Sequence, residues 1–169
     1  MDQNLSNLKV EVVDDFLPYN VFKHISDYVT GTEFMWYFNK RINNCYSWDD
    51  LSFYFTHMLY MDNKVNSKEL DVFKPLFETL KIKKLIRAKL NLYTKTDNLE
   101  KHKEHIDFTY PHKNCVYSFN TCNGFTILNK DNQVASIENR AIIFDGLIPH
   151  QSTSCTDQHA RINININYL

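Results

Sequence analysis

His105 and Asp107 stand two residues apart in the segment His105-Ile106-Asp107; His150 follows 45 positions after His105, and Arg161 comes 11 beyond that. Two imidazoles and one carboxylate can occupy one face of an octahedral ion and leave three positions open, the donor set of non-haem Fe(II) sites. On a strand, residues i and i+2 leave the same face. The spacing therefore predicts a strand on which His105 and Asp107 converge on one ion, with His150 arriving from a neighbouring strand. Arg161 opens the run Arg161-Ile162-Asn163-Ile164-Asn165-Ile166-Asn167-Tyr168, which alternates almost without a break. Ile162, Ile164 and Ile166 then pack outward against helices or a second sheet, and Arg161, Asn163, Asn165 and Asn167 point inward. An inward guanidinium suits a carboxylate, because its planar fork donates two parallel hydrogen bonds. An ion pair at a strand end is the bland alternative, and the metal-type residues upstream favour the ligand.

The elements that must position these residues can be read in outline. Residues 85–94 alternate, with Ile86, Ala88, Leu90 and Leu92 on one face and Arg87, Lys89, Asn91 and Tyr93 on the other. A polar face of that kind, if buried, fits a barrel lined for a polar ligand. Short β-type runs follow at 115–120, 125–128, 134–137, 141–144 and from 150, with Asn123-Gly124 as a hairpin signal and Asp131-Asn132 as a second turn. Upstream, residues 8–13 read as a first strand. Val21, Phe22, Ile25 and Val29 recur at helical spacing, with Gly31 as a stop. Residues 34–38 form another strand candidate. Asn66 with Glu69 resembles a capping box ahead of Leu70, Phe73, Leu76, Phe77 and Leu80, with Pro75 inside the pattern. The stretch 39–66 stays open: Leu51, Phe53, Phe55 and Leu59 fit a strand, whereas Ser47 with Asp50 would cap a helix. Its aromatics (Trp48, Phe53, Tyr54, Phe55, Tyr60) read better as core packing than as a substrate wall. Successive short strands predict a mainly β jelly roll with flanking helices, not βαβ units.

Composition narrows the class. The chain has 169 residues, 43% hydrophobic and 23% charged, enough for one domain with a real core. No linker or repeat divides it, so one domain over 1–169 is expected, with a strand–helix layer at 1–83 and the jelly-roll core at 84–169. Twelve Phe and ten Tyr against three Gly favour an aromatic β body. A net charge of −1 gives no electrostatic case for nucleic acid. Cys45, Cys115, Cys122 and Cys155 form no CxxC pair and read as reduced thiols, Cys122 and Cys155 as packing residues. No apolar leader or membrane-length run is present, so a cytoplasmic protein is expected. Of the remaining histidines, His24, His57, His102, His112 and His159 are read as non-ligands. His102 is placed in a solvated approach, and His112 is a candidate for a supporting or lid position.

The chain resembles the Fe(II)- and 2-oxoglutarate-dependent dioxygenases, a double-stranded β-helix superfamily, and within it the short prolyl-hydroxylase-like members such as those carried by phages. The likeness rests on the His105-x-Asp107, His150 and Arg161 pattern, the opening Val10-Glu-Val-Val-Asp-Asp-Phe-Leu-Pro18, Arg87-Ala-Lys-Leu-Asn91-Leu-Tyr93, and Tyr117-Ser-Phe-Asn-Thr-Cys-Asn-Gly124. The resemblance implies Fe(II) held by His105, Asp107 and His150, O2 as oxidant and ascorbate as a reductant. It implies 2-oxoglutarate chelating iron through its C1 end and pairing its C5 carboxylate with Arg161. Tyr93 would donate to the same carboxylate, with Asn91 and Asn163 elsewhere in the pocket. It implies hydroxylation of a protein or peptide side chain, proline first, with succinate and CO2 released. Asn91-x-Tyr93 and Arg161-x-Asn163 also match elements of AlkB-type nucleic-acid demethylases, although Asn167 stands where those place a second Arg. A free small metabolite is a further substrate class, and a non-catalytic jelly roll that binds a ligand is the alternative outside enzymes.

Overall fold

The computed structural model describes residues 9–40 and 53–169. Two antiparallel sheets face each other. In chain order the elements are β1 (Glu11–Val13), α1 (Tyr19–Thr30), β2 (Tyr37–Asn39), β3 (Tyr54–Met61), β4 (Lys64–Val65), a 3-10 turn (Lys68–Phe73), α2 (Lys74–Thr79), β5 (Leu85–Thr94), β6 (Lys113–Ser118), β7 (Phe125–Leu128), β8 (Asn132–Ala135), β9 (Ala141–Asp145), β10 (His150–Ser152) and β11 (Ala160–Tyr168). The larger sheet runs β1-β9-β6-β11-β5-β3-β2, with β4 paired to β3; the smaller runs β10-β7-β8. This is the expected mainly β, double-stranded β-helix architecture with flanking helices.

Alternation in the central strands explains the layering. Ile162, Ile164 and Ile166 of β11 join Ala88 and Leu90 of β5 and Phe22, Ile25 and Val29 of α1 in one buried cluster. That cluster is the outer layer, and each fully buried aliphatic in it is worth about 1.5–3 kcal/mol. Val116, Leu128, Val134, Ile142 and Phe144 form a second cluster from strands of both sheets. Between the sheets, the polar faces of β5 and β11 line a cavity. Among the described residues, no helix is long and apolar enough to cross a membrane.

Several expectations need adjusting. Asn123-Gly124 closes no hairpin: β6 pairs with β9 and β11, whereas β7 pairs with β8 and β10. The tight turn lies instead between β7 and β8, where Asn129 and Lys130 take φ of 47° and 70°. Ser67, not Asn66, caps the 3-10 turn, accepting from the Glu69 N–H at 3.2 Å. Pro75 sits in the first turn of α2, where its missing N–H leaves no bond unmade. The 39–66 stretch resolves as strand from Tyr54 onward. Ser47, Trp48 and Asp50 lie outside the described residues, as do Leu8 and Cys45.

Candidate active site

β5 and β11 lie side by side near the middle of the larger sheet in the register Tyr93↔Arg161, Asn91↔Asn163, Lys89↔Asn165 and Arg87↔Asn167. The polar faces that the alternation predicted inward are thereby matched in pairs along one cavity. His105 and Asp107 reach it from the 95–112 connection rather than from a strand. His105 makes an isolated bridge to His150, the two residues exchanging backbone bonds of 2.9 Å, and Asp107 sits at a bend. The charged residues around them pair only at single positions, so the expected strand carrying both ligands does not form.

The three side chains nevertheless converge. Each histidine turns Nδ1 to the carbonyl two residues back, Lys103 O for His105 and Ile148 O for His150, both at 3.2 Å. That bond fixes the ring and leaves Nε2 as the free donor atom. His105 Nε2 lies 3.6 Å from Asp107 Oδ1 and His150 Nε2 lies 3.7 Å from Oδ2. The ligand atoms of the three residues all fall within 4.8 Å of one another. His150 Nε2 is buried with no hydrogen-bond partner among the described residues. An orphan of that kind costs about 1–3 kcal/mol, which a metal ion would offset. Burial pushes the His150 imidazolium down to about 4, against the pull of Asp107 in the other direction. The ring is therefore neutral at neutral pH, the form that ligates. The neutral His150 ring, the His105 imidazole, one carboxylate and an open side fit Fe(II).

Asp107 is held by residues from three strands. Asn114, Asn165 and Asn167 each donate Nδ2–H to its Oδ2 at 3.0 Å, and Arg87 Nη2 lies 2.6 Å from Oδ1. Burial alone would raise this carboxyl. The His105 bond, the Arg87 guanidinium, His150 and the Asn167 bond outweigh it and hold the group far below the usual carboxylate range. Asn167 Oδ1 accepts from Arg87 Nε at 3.0 Å, and Asn167 Nδ2 meets His112 Nε2 at 3.2 Å. His112 thus supports the centre from behind, in a space that a side chain at Gly146 would fill: a Cβ there would fall 2.1 Å from His112 Nε2.

Arg161 stands at the other end of the cavity, wholly buried. Its Nη2 donates to Thr126 Oγ1 at 2.8 Å and its Nη1 to Thr153 O at 3.3 Å, while Nε has no partner among the described residues. Among the described residues no carboxylate pairs with it, and burial pushes its guanidinium below the usual range. The Tyr93 ring lies beside it, its centroid 6.0 Å from Cζ. Burial raises the Tyr93 phenol, which bonds Ser152, so it stays a protonated donor. The ring stacks on Tyr54 at 5.6 Å and 8°. Midway, Asn91 Nδ2 donates to Asn163 Oδ1 at 3.0 Å, and Asn91 Oδ1 has no partner among the described residues. Gly124 is where bulk would collide: an added Cβ would meet Ser154 O at 2.5 Å and Arg161 Cδ at 2.8 Å.

The sequence placed His102 in solvent, and the structure does not. It is buried, its ring 4.8 Å from that of Tyr93 and its Nδ1 2.7 Å from Ser152 Oγ. Lys101 and Lys103 mask an inward side chain between two outward ones. Sequence reasoning also missed the hold of Arg87, Asn114, Asn165 and Asn167 on Asp107. The inward phase of β5 and β11 signalled three of these four. Asn114 gave no signal. His57 is buried and bonded to Met35 O and Ser67 Oγ. Cys122 and Cys155 are buried, in keeping with packing roles.

No family model matches the chain, and no curated protein matches it. Solved structures do. A prolyl hydroxylase from Trichoplax adhaerens, in complex with a hypoxia inducible factor oxygen degradation domain peptide fragment, aligns at TM-score 0.67 and 14% identity over 98% of this chain and 86% of that one. An oxidoreductase of the 2OG-Fe(II) oxygenase family from Burkholderia pseudomallei aligns at 0.68 and 9%, over 98% and 87%. The non-heme alpha ketoglutarate dependent epimerase SnoN from nogalamycin biosynthesis aligns at 0.67 and 9%, over 98% and 77%. At these identities the likeness is one of fold, and that fold is the one built by 2-oxoglutarate–Fe(II) oxygenases, prolyl hydroxylases among them.

Proposed function

We propose that the chain, acting as one catalytic domain, is an Fe(II)- and 2-oxoglutarate-dependent dioxygenase that hydroxylates a C–H bond of a protein or peptide side chain, proline first. One observation carries this reading. A partly buried His-Asp-His cluster and a buried guanidinium without a counter-ion among the described residues occupy opposite ends of a single cavity. The solved neighbours support the class, and the peptide-bound prolyl hydroxylase among them supports the substrate type.

In this mechanism His105, Asp107 and His150 hold the metal through Nε2, a carboxylate oxygen and Nε2. Bound Fe(II) supplies the redox chemistry by which 2-oxoglutarate and O2 become succinate and CO2 while substrate C–H becomes C–OH. The protein supplies position. Arg161 would take the far carboxylate of 2-oxoglutarate, and its bare Nε and neutral acceptors leave that charge for the ligand. Tyr93 would give that carboxylate its phenolic hydrogen. Asn91 and Asn163 line the passage between. Arg87 and the three asparagines keep Asp107 ionised and aimed.

A small-molecule hydroxylase is the second reading, favoured by the fold shared with SnoN and by a polar cavity with a further cation. The deciding assay loads protein with Fe(II) anaerobically, starts with O2 and follows succinate. It is run bare, with a proline-rich peptide, with small acids and with a methylated single-stranded oligonucleotide. Stimulation by peptide alone is the expected outcome. Folded, iron-loaded protein that makes no succinate in any tube would sink the enzyme reading and leave a binding module.

A further inference from the structure

One charged side chain of the cavity has no part in this scheme. Lys89 projects inward from β5 between Arg87 and Asn91, opposite Asn165 on β11 and Met58 on β3. It lines the same space as His105, Asp107, His150 and Arg161. Its Nζ lies 5.7 Å from the centre of the Tyr54 ring. Among the described residues it makes no ion pair and no hydrogen bond. The one carboxylate in the cavity, Asp107, is already met by Arg87 and three asparagines. Burial and the Arg87 guanidinium push the ammonium down to about 8, with Asp107 opposing, so the cation is mostly retained at neutral pH. Asp107 offsets it only in part, since that carboxylate is already paired with Arg87.

Two acceptors beside Lys89 are in the same condition. Asn91 Oδ1, next inward residue on its own strand, and Asn165 Oδ1, across from it, are buried and unpartnered among the described residues. A lysine whose stem packs on an aromatic ring and whose head reaches water would account for the stem alone. It would not account for two idle amide oxygens, one directly across from it and one a rung further along the cavity. One cation flanked by two acceptors matches a ligand that carries an anionic oxygen together with N–H or O–H donors.

We infer that Lys89 anchors a carboxylate of the primary substrate, with Asn91 and Asn165 accepting hydrogen bonds from donor groups on the same molecule. The inference rests on the dioxygenase reading, because there the co-substrate is fully engaged by the metal at one end and Arg161 at the other. Lys89 is then left for the second molecule. The substrate class narrows to acids: a carboxylate-bearing metabolite, or a peptide presenting its target next to a free carboxylate.

The test uses Zn(II), which is redox-silent, so binding is read without turnover. Zn(II)-loaded protein saturated with 2-oxoglutarate is titrated with acetate, N-acetylglycine and N-acetyl-L-proline, and with the amide of each. Carbon-13 NMR at the lysine Cε follows Lys89, its resonance assigned by its loss in Lys89→Met. At least one acid should shift that resonance saturably while its amide does not. Calorimetry should show that acid binding about tenfold or more weaker to Lys89→Met and partly restored in Lys89→Arg. The affinity of Lys89→Met for 2-oxoglutarate should stay within about twofold of the parent. If no acid moves Lys89, or if Lys89→Met weakens 2-oxoglutarate itself about tenfold, Lys89 does not serve the substrate and the inference is overturned. Failure of the parent protein to bind 2-oxoglutarate would instead bring down the dioxygenase reading, visibly and at an earlier step.

Discussion

The two ends of the cavity hold buried charges in opposite conditions. Asp107 is met by three amide donors and a guanidinium. Arg161 has two neutral oxygens, a bare Nε and no carboxylate among the described residues. Arg161 and most of the groups that hold Asp107 lie on the same pair of strands, and both charged side chains are buried, so the difference is not one of burial. A charge whose valences are filled by the protein is fixed in place and contributes to the fold. A charge left partly unfilled costs stability until a ligand arrives. One end is a built support, and under the proposed function the other takes the anion.

That contrast can be broken by substitution. Asp107→Ala should have the largest effect: turnover lost, metal affinity down by about a hundredfold or more, and the metal-free protein destabilised by about 3–5 kcal/mol because Arg87 is left buried without its partner. Metal titration and urea unfolding read the two parts separately, and surviving turnover would void the triad. Arg161→Met should weaken 2-oxoglutarate by about a hundredfold. Metal affinity should be kept, and metal-free stability should be equal or higher. A loss of stability like that of Asp107→Ala would erase the distinction between the ends.

Acid sharpens the filled end. The folded His150 titrates at about 4, below the ordinary histidine value of about 6.5 expected when unfolded. Between those values the unfolded chain binds the extra proton. Stability of the metal-free protein is therefore full above about pH 6.5 and falls by roughly 3 kcal/mol as pH drops to about 4. His150→Gln should flatten that part of a pH series of unfolding curves. The smallest effect belongs to Gly124→Ala, whose methyl must displace Arg161 Cδ or Ser154 O. It should weaken 2-oxoglutarate about tenfold while leaving metal binding alone, as calorimetry on the Mn(II) form would show.

Where local period and tertiary role coincide, the sequence was legible. β5 and β11 each have one apolar layer outside and one polar cavity inside, so a period of two records both faces. The residue types of the triad could be read as well. Their carrier could not, because a connection that pairs only at His105 and two other isolated bridges leaves no pattern to read. Asn123-Gly124 misled for a related reason. Strand partners are chosen across the sheet, and Gly124 is used for the close approach of Arg161, not for a left-handed turn. The donors around Asp107 come from β5, β6 and β11, and only the assembled register reveals that they meet.

The continuity of β11 has one more consequence. Arg161 and Asn165, at the two ends of the cavity, are four residues apart on a strand whose pairing with β5 keeps its register until Asn167. That is about 13 Å of nearly inextensible backbone. Under the proposed function, β11 is a gauge: the gap between guanidinium and metal is set by the pitch of a pleated chain and does not adapt to its contents. Oxaloacetate and 2-oxoadipate carry the same end groups as 2-oxoglutarate, one carbon shorter and one longer. They would be discriminated by length alone.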